Sequence, residues 1–509
     1  MQKSIMRYAK KGKNGIRTHM EVYMKKNIKD KIPGILIGTL LSVALILFLV
    51  ILIKTKLLPV KYILLAGGLF LLFAVCVFFL TRDVRRLGPM ICGCLMTMIL
   101  LIVLMLGTPY LTQALDTLDH ITAVDVEVAH IGIYVKNDSA VETLSDLENG
   151  NVGILKSLDR NNTNETLEKV QAQVANLQTQ EYIGLSNLAD GLLQDEVDAI
   201  MMNSAFLELL KDMEGYRDMA SQLREVYQHQ TETVIEKPKE NEQSANTQKT
   251  ENRVFTMYLS GIDSREGLIA ASRSDVNILA TVNVDKRQVL LVSTPRDYYV
   301  PLSISDGIPD KLTHAGIYGI DVSMDTLEML YDTQVDYYFR VNFSGFENII
   351  DALGGITINS PQEFVSIDGY YFYEGENTLS GAEALAFARE RYAFEDGDRQ
   401  RGENQMAVIK AVIEKAMSPS LLANYADIMA SVSGSFETSM PYDTIAGLVR
   451  DQLDNGGSWH IVTASVDGTG DYQVPYSLST EAYVMIPDQT TVDAVIAKMQ
   501  QVKNGEILE

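Results

Sequence analysis

The chain has 509 residues and a formal net charge of −23, from 66 acidic and 43 basic side chains. That length exceeds one small domain, and that charge excludes a general affinity for nucleic acid, whose phosphates recruit basic faces. Hydrophobic residues make up 47% of the chain, and they are concentrated near the N-terminus.

Residues 1–33 are rich in Lys and Arg (Lys10, Lys11, Lys13, Arg17, Lys25, Lys26, Lys29, Lys31). Three apolar runs follow: 34–53 (GILIGTLLSVALILFLVILI), 62–80 (YILLAGGLFLLFAVCVFFL) and 89–110 (PMICGCLMTMILLIVLMLGTPY). Each is about the 20 residues a helix needs to cross a bilayer core, and none contains an ionised side chain. One such run alone could be a cleaved signal or a buried helix. Three in series, with no small-residue cleavage site after the first, predict a membrane region of three helices over 34–110. The basic segment 1–33 and Arg82, Arg85 and Arg86 predict a cytoplasmic N-terminus, although Lys54, Lys56 and Lys61 in the first loop run against that orientation. Acidic residues then accumulate at Asp116, Asp119, Asp125 and Glu127, so everything from 111 onward is expected outside the cell. Cys76, Cys92 and Cys94 all lie in the apolar runs. The outer part therefore has to rest on hydrophobic cores without disulfides.

Residues 111–227 read as a small α/β accessory domain. Val126–Val135 and Val152–Leu155 are strand candidates, the second after the turn signal Asn149-Gly150. Leu167, Val170, Val174 and Leu177 give 163–177 a helical period. Leu188–Leu193, the acidic stretch 195–198 and Ala199–Met202 read as helix, turn and strand. The pattern resembles half of a periplasmic solute-binding domain, without a motif that names a ligand. Residues 228–252 are polar and lack an apolar period, which predicts a flexible linker.

The third folded region spans 253–509. Val254–Ile262, Val276–Val284 and Gln288–Ser293 are expected strands, with a turn at Asp285-Lys286. Ser344 and Glu347 predict a capped helix that Gly354-Gly355 ends, and Ser380 and Glu383 cap another helix reaching Arg389. Ile356–Ile358 is a further strand, and a later helix runs from about Glu403 to Ala416. The fold class is α/β: three membrane helices, a small α/β domain, and an α/β domain with a mixed sheet flanked by helices.

Two carboxylates, Asp263 (SGID) and Asp275 (RSDVN), sit where strands meet loops, where functional groups concentrate. Without nearby His or Cys, paired carboxylates favour a hard ion such as Mg²⁺, with Mn²⁺ as an alternative. Turn-forming Asp is the plainer explanation for either residue alone. Basic residues accompany them: Arg273, Arg296 (TPRD) and Lys311 (KLTHA). The stretch ARERYAFEDGDRQR (388–401) adds Arg389, Arg391, Arg399 and Arg401. Arg389 and Arg391 can reach one site only if a helix ends between them. Asp398, Arg401 and Gln405 share one face if a helix begins near Asp398. A surface charge cluster is the competing explanation, because Glu390, Glu395, Asp396 and Asp398 neutralise the stretch. Taken together, several forked guanidiniums beside a two-Asp metal site describe a pyrophosphate receptor.

These motifs resemble the LytR-CpsA-Psr (LCP) family over about 253–505. The residues concerned are GIDSR (261–265), RSDVNILATVNVD (273–285), LVSTPRD (291–297), KLTHAG (311–316), VDYYFRVNFSGFENIIDALGGI (335–356), LSGAEALAFARERY and GDRQRGENQ (379–405). Three membrane helices and an accessory domain before that region resemble its CpsA-like subgroup. The resemblance implies an extracytoplasmic phosphotransferase. Such an enzyme moves a glycopolymer phosphate from an undecaprenyl-pyrophosphate carrier to a peptidoglycan sugar. It implies magnesium ligation by Asp263 and Asp275, and pyrophosphate binding by Arg273, Arg296, Arg389, Arg391 and Arg401. Asp398 matches an acid near the metal, Gln405 a polar residue on the same helix, and Lys311 a family lysine that contacts substrate. Thr313 departs from the family's Asn, and Asn404-Gln405 from its Gln pair. Arg399 has no assigned role. The family's lipid groove lies between sheet and helices, which makes Val276, Ile278, Leu290 and Val292 core or groove residues. A polyprenyl-phosphate-binding regulator and a pyrophosphate hydrolase remain alternative functions.

Overall fold

A computed structural model describes residues 31–54, 56, 58–82, 86–122, 126–234, 253–262, 272–395, 397–418, 428, 432 and 434–509. The chain divides into two units, one of residues 1–117 with 443–456, the other of 118–442 with 457–509.

The first unit contains α1 (Ile32–Lys54), α2 (Val60–Thr81) and α3 (Leu87–Thr122). All three have stretches long and apolar enough to cross a membrane. They are apolar on every side: Leu41, Leu45, Val77 and Leu104 pack between them, while Leu36, Leu64, Leu72 and Met105 are exposed. An all-round apolar helix suits lipid. A further helix of this unit spans Tyr442–Asn455. Lys56 pairs with its Asp443 at 2.6 Å and Lys61 with its Asp454 at 2.9 Å.

The second unit begins with a five-stranded sheet. Its members are β1 (Val126–Lys136), β2 (Asn151–Leu155), β3 (Gln178–Tyr182), β4 (Ala199–Asn203) and β5 (Leu223–Val234), in the order β3-β2-β4-β1-β5. Helices α4 (Arg160–Gln171) and α5 (Leu185–Leu193) make the crossovers between the parallel strands β2, β3 and β4. One face buries Ile131, Ile133, Val152 and Met201; the other buries Ile200, Met202 and Leu188. Two strands escaped the sequence pattern, and both are sheet edges. β3 reads QTQEY, and β5 runs from Leu223 into the expected linker 228–252, pairing with β1, across one bulge, up to Val234. The linker assignment is therefore corrected at 228–234, and 235–252 lies outside the described residues. An edge strand is solvated along one side and needs no apolar run. The expected helix 163–177 is also shorter. It spans Arg160–Gln171, and Val174 and Leu177 reach the core from the turn beyond it.

The larger domain is built on β6 (Val254–Ile262), β7 (Ser274–Asn283), β8 (Gln288–Ser293), β9 (Tyr337–Asn342), β10 (Phe436–Thr438) and β11 (His460–Ser465). Their order is β10-β9-β6-β7-β8-β11, with β9–β6 and β8–β11 parallel and the other pairs antiparallel. Both faces are covered, so β8 is buried throughout. Leu279, Leu290 and Val292 face α8 (Ile320–Tyr331) and a C-terminal helix (Gln489–Lys503). Ile278, Ala280 and Leu291 face Met406 of α11 (Asp398–Ala416). Helices α9 (Phe343–Ala352) and α10 (Gly381–Arg389) pack beside α11 around Phe364, Phe372 and Phe387. The Ser380–Glu383 capping box is present as expected. The cap of α9 is Asn342, whose side chain accepts the Gly345 amide at 2.8 Å, and not Ser344. Asn is as good a cap as Ser, and β9 ends directly on it.

Candidate functional site

Four strands, β6, β8, β9 and β11, end at the same edge of the sheet, and β7 begins there. Ligands in open α/β sheets bind outside such carboxyl ends. Arg296 and Asp297 lie three and four residues beyond β8. Asp275 is the second residue of β7, and Asp467 lies two residues beyond β11. Backbone bonds bring in the segment 311–315: Leu312 N–H donates to Tyr298 O at 2.9 Å and Thr313 N–H to Arg296 O at 2.8 Å. Gly316 allows this approach, because a Cβ there would lie 2.5 Å from Ser272 O.

A cavity of about 630 Å³ opens at this edge, lined by Arg296, Asp297, Lys311, Arg391, Arg399, Asp467, Tyr483 and Met485. Four cationic side chains face two carboxylates, a local reversal of sign in an acidic chain. Arg296 Nη1 donates to Asp275 Oδ1 at 3.0 Å, and Arg296 Nε lies 3.6 Å from Asp297 Oδ2. Lys311 Nζ is 3.4 Å from Asp297 Oδ1 and its side chain is 7% exposed. Arg399 Nη1 stands 4.0 Å from Asp467 Oδ2.

The arginine pair of ARER is divided by the end of α10 at Arg389. Arg391 follows that end and lines the cavity, whereas Arg389 lies over the Phe343 ring at 4.6 Å and 3.9 Å from Asp368. The turn is held by Glu390, 1% exposed, whose Oε1 accepts the amides of Arg391, Tyr392 and Ala393 at 3.0, 2.7 and 3.0 Å. Arg401 and Gln405 lie half-buried one turn apart on α11, which starts at Asp398 as the shared-face reading required. Neither is among the cavity-lining residues. Arg273 also points elsewhere, pairing with Asp212 at 2.7 Å and Glu208 at 3.5 Å.

Of the expected metal ligands, Asp263 lies outside the described residues. Ile262, the last described residue of β6, pairs with Ser274 beside Asp275. Asp275 Oδ1 is occupied by Arg296 and by Thr313 Oγ1 at 3.1 Å, and Oδ2 has no hydrogen-bond partner among the described residues. One carboxylate oxygen held and the other open suits a hard ion that keeps several waters. Among the described residues no group of three His, Cys, Asp or Glu side chains is placed to hold a metal ion.

Several site residues were not singled out from sequence. Asp297 and Asp467 gave no signal beyond their charge, and Asp212 comes from the accessory domain. Glu390 was counted only as a neutralising charge. Thr313 was noted only as a departure from the family's Asn, yet it donates to Asp275. Arg399 now has a place at the cavity wall.

The LytR_cpsA_psr family model matches residues 220–501. A polyisoprenyl-teichoic acid–peptidoglycan teichoic acid transferase TagU of Enterococcus faecalis is 32% identical over 257 residues, covering 50% of this chain and 80% of that protein. The protein of that name in Bacillus subtilis is 35% identical over 237 residues, covering 46% and 75%. The crystal structure of B. subtilis TagV aligns with a TM-score of 0.43 and 29% identity, over 51% of this chain and all of that one. With its family motifs in order along the larger domain, this chain belongs to the LytR_cpsA_psr family.

Proposed function

We propose that this chain is an extracytoplasmic transferase that moves a glycopolymer phosphate from a polyprenyl-pyrophosphate carrier to peptidoglycan. The observation that supports this most directly is the cationic cavity at the strand ends, on a chain whose net charge is −23. The names of the relatives agree with the reaction class.

In this reading Arg296, Lys311, Arg391 and Arg399 hold the pyrophosphate. The three arginines offer forked donors, and the lysine a compact point charge. The acceptor hydroxyl attacks the glycan-bearing phosphorus. A new P–O bond forms, the bond to the carrier's phosphate breaks, and polyprenyl phosphate leaves. The hydroxyl proton passes to a carboxylate, for which Asp297 at the cavity wall and Asp398 at the start of α11 are the candidates. Asp275, with Asp263, would hold magnesium, which when bound offsets charge on the phosphate oxygens. The half-exposed Met257, Leu259, Val276, Ile409 and Ile413 between sheet and α11 offer an apolar path for the polyprenyl chain.

Topology fits an outward-facing domain. Lys56 and Lys61, which ran against the charge rule, pair with Asp443 and Asp454, which supports a reading with the first loop and the helix 442–455 on one side of the membrane. With both outside, the N-terminus is cytoplasmic.

The test uses the full chain in detergent with a synthetic polyprenyl-pyrophosphate glycan, a peptidoglycan oligomer and Mg²⁺. Glycan should appear on the oligomer, and Arg391→Ala or Asp275→Ala should slow this on the order of a hundredfold. Release of glycan phosphate without acceptor would instead mark a hydrolase. Donor binding with neither transfer nor release would mark a regulator.

A further inference from the structure

The accessory domain reaches the cationic segment of the site with one carboxylate. Its helix α6 (Phe206–Asp212) follows β4 closely and ends on Asp212. At its start Phe206, 1% exposed, packs on Tyr318 of the larger domain with ring centroids 6.3 Å apart. Ile317, Leu478 and Ala482 of the larger domain share one core with the accessory residues Leu185 and Leu188. α6 is thus fixed against the segment that carries Lys311. Asp212 Oδ2 lies 2.7 Å from Arg273 Nη1, 3.9 Å from Lys311 Nζ and 3.9 Å from His314 Nε2. His314 is fully buried, and its other nitrogen bonds Asp310 at 2.7 Å.

We propose that Asp212 is a positioning residue for the pyrophosphate site, so that the accessory domain completes the site instead of merely neighbouring it. This rests on the reading of the cavity as a polyprenyl-pyrophosphate site. Lysine is a flexible point charge, and at 7% exposure its ammonium needs fixed counter-charges. Asp297 supplies one from the cavity side and Asp212 the other from behind. Without Asp212, Lys311 would collapse onto Asp297, and Arg273 and His314 would lose their shared anion. Burial by itself would push the Asp212 carboxyl up, but His314, Arg273 and Lys311 outweigh it and hold it well below the usual carboxylate range. The opposite role, in which Asp212 competes with the incoming phosphate, predicts the opposite sign.

The test measures binding of farnesyl pyrophosphate to the full chain in detergent by calorimetry. Variants are Asp212→Asn, Lys311→Met, the double variant and Asp212→Glu. Asp212→Asn should weaken binding about tenfold. It should add almost nothing once Lys311 is Met, because the two act as a unit. Asp212→Glu keeps the charge and should recover part of the loss; it also decides the matter if the Asn variant fails to fold. Unchanged or tighter binding by Asp212→Asn overturns the proposal, and so does a loss that adds fully to that of Lys311→Met. Failure of the wild-type chain to bind the probe would instead sink the underlying functional reading.

Discussion

Glu390 joins two separate stretches of chain: the Oε2 of Glu390 accepts the amide of Ile367 at 2.7 Å, while Oε1 holds the turn that begins at Arg391. A buried carboxylate that accepts four backbone amides is an acceptor no neutral side chain replaces. In Glu390→Gln the amide nitrogen would face N–H donors. We expect a loss of about 2 kcal/mol in stability and a marked drop in transfer, because Arg391 moves with its turn. Thermal unfolding and initial transfer rates check this; a Gln variant equal to wild type in both would show that the turn is set elsewhere.

Thr313 donates to Asp275 Oδ1 at 3.1 Å. Thr313→Val keeps the shape and removes the donor. Stability should change by about 1 kcal/mol, while transfer falls severalfold and Thr313→Ser restores it. Equal rates for Val and Ser would remove this hydrogen bond from the account.

Asp159 ends the loop after β2 and accepts from Asn203 at 2.8 Å and Asn162 at 2.6 Å. Burial pushes its carboxyl up to about 6, against the partial relief from those two amides. The folded value lies above the unfolded one, so its contribution to stability is complete below the ordinary carboxyl range. It is lost as pH rises through about 6, by up to about 3 kcal/mol. Denaturant unfolding across that window should show the slope, and Asp159→Asn should abolish it. A slope that survives the substitution would assign it to another group.

Arg340 on β9 and Glu437 on β10 form a buried pair, 2% and 5% exposed, with Nε and Nη2 donating to Oε2 at 3.0 and 2.9 Å. Breaking it by Arg340→Met leaves a buried charge and should cost about 3–5 kcal/mol. Replacing both, Arg340→Met with Glu437→Leu, should recover most of that. Urea unfolding of wild type and the two variants decides; a double variant as weak as the single would mean that the pair contributes through more than its charge.

The sequence by itself determined the three apolar helices, the buried strands β6 to β8 and the Ser380 cap. Each depends on neighbours along the chain: unbroken hydrophobic runs in the helices and β8, alternating burial in β6, and a local side chain reaching a local amide. It also singled out the basic residues that line the cavity, but not the carboxylates Asp297 and Asp467 beside them. Tertiary structure alone decided which of those charges meet. Arg391 enters the cavity and Arg389 does not, because α10 ends between them. Arg273, two residues from Asp275, turns instead to Asp212, 61 residues earlier in the chain. The polar edge strands β3 and β5 were hidden for the same reason. Their stability lies in backbone bonds to a distant strand, and electrostatic pairing, like strand pairing, depends on distances that only the folded chain fixes.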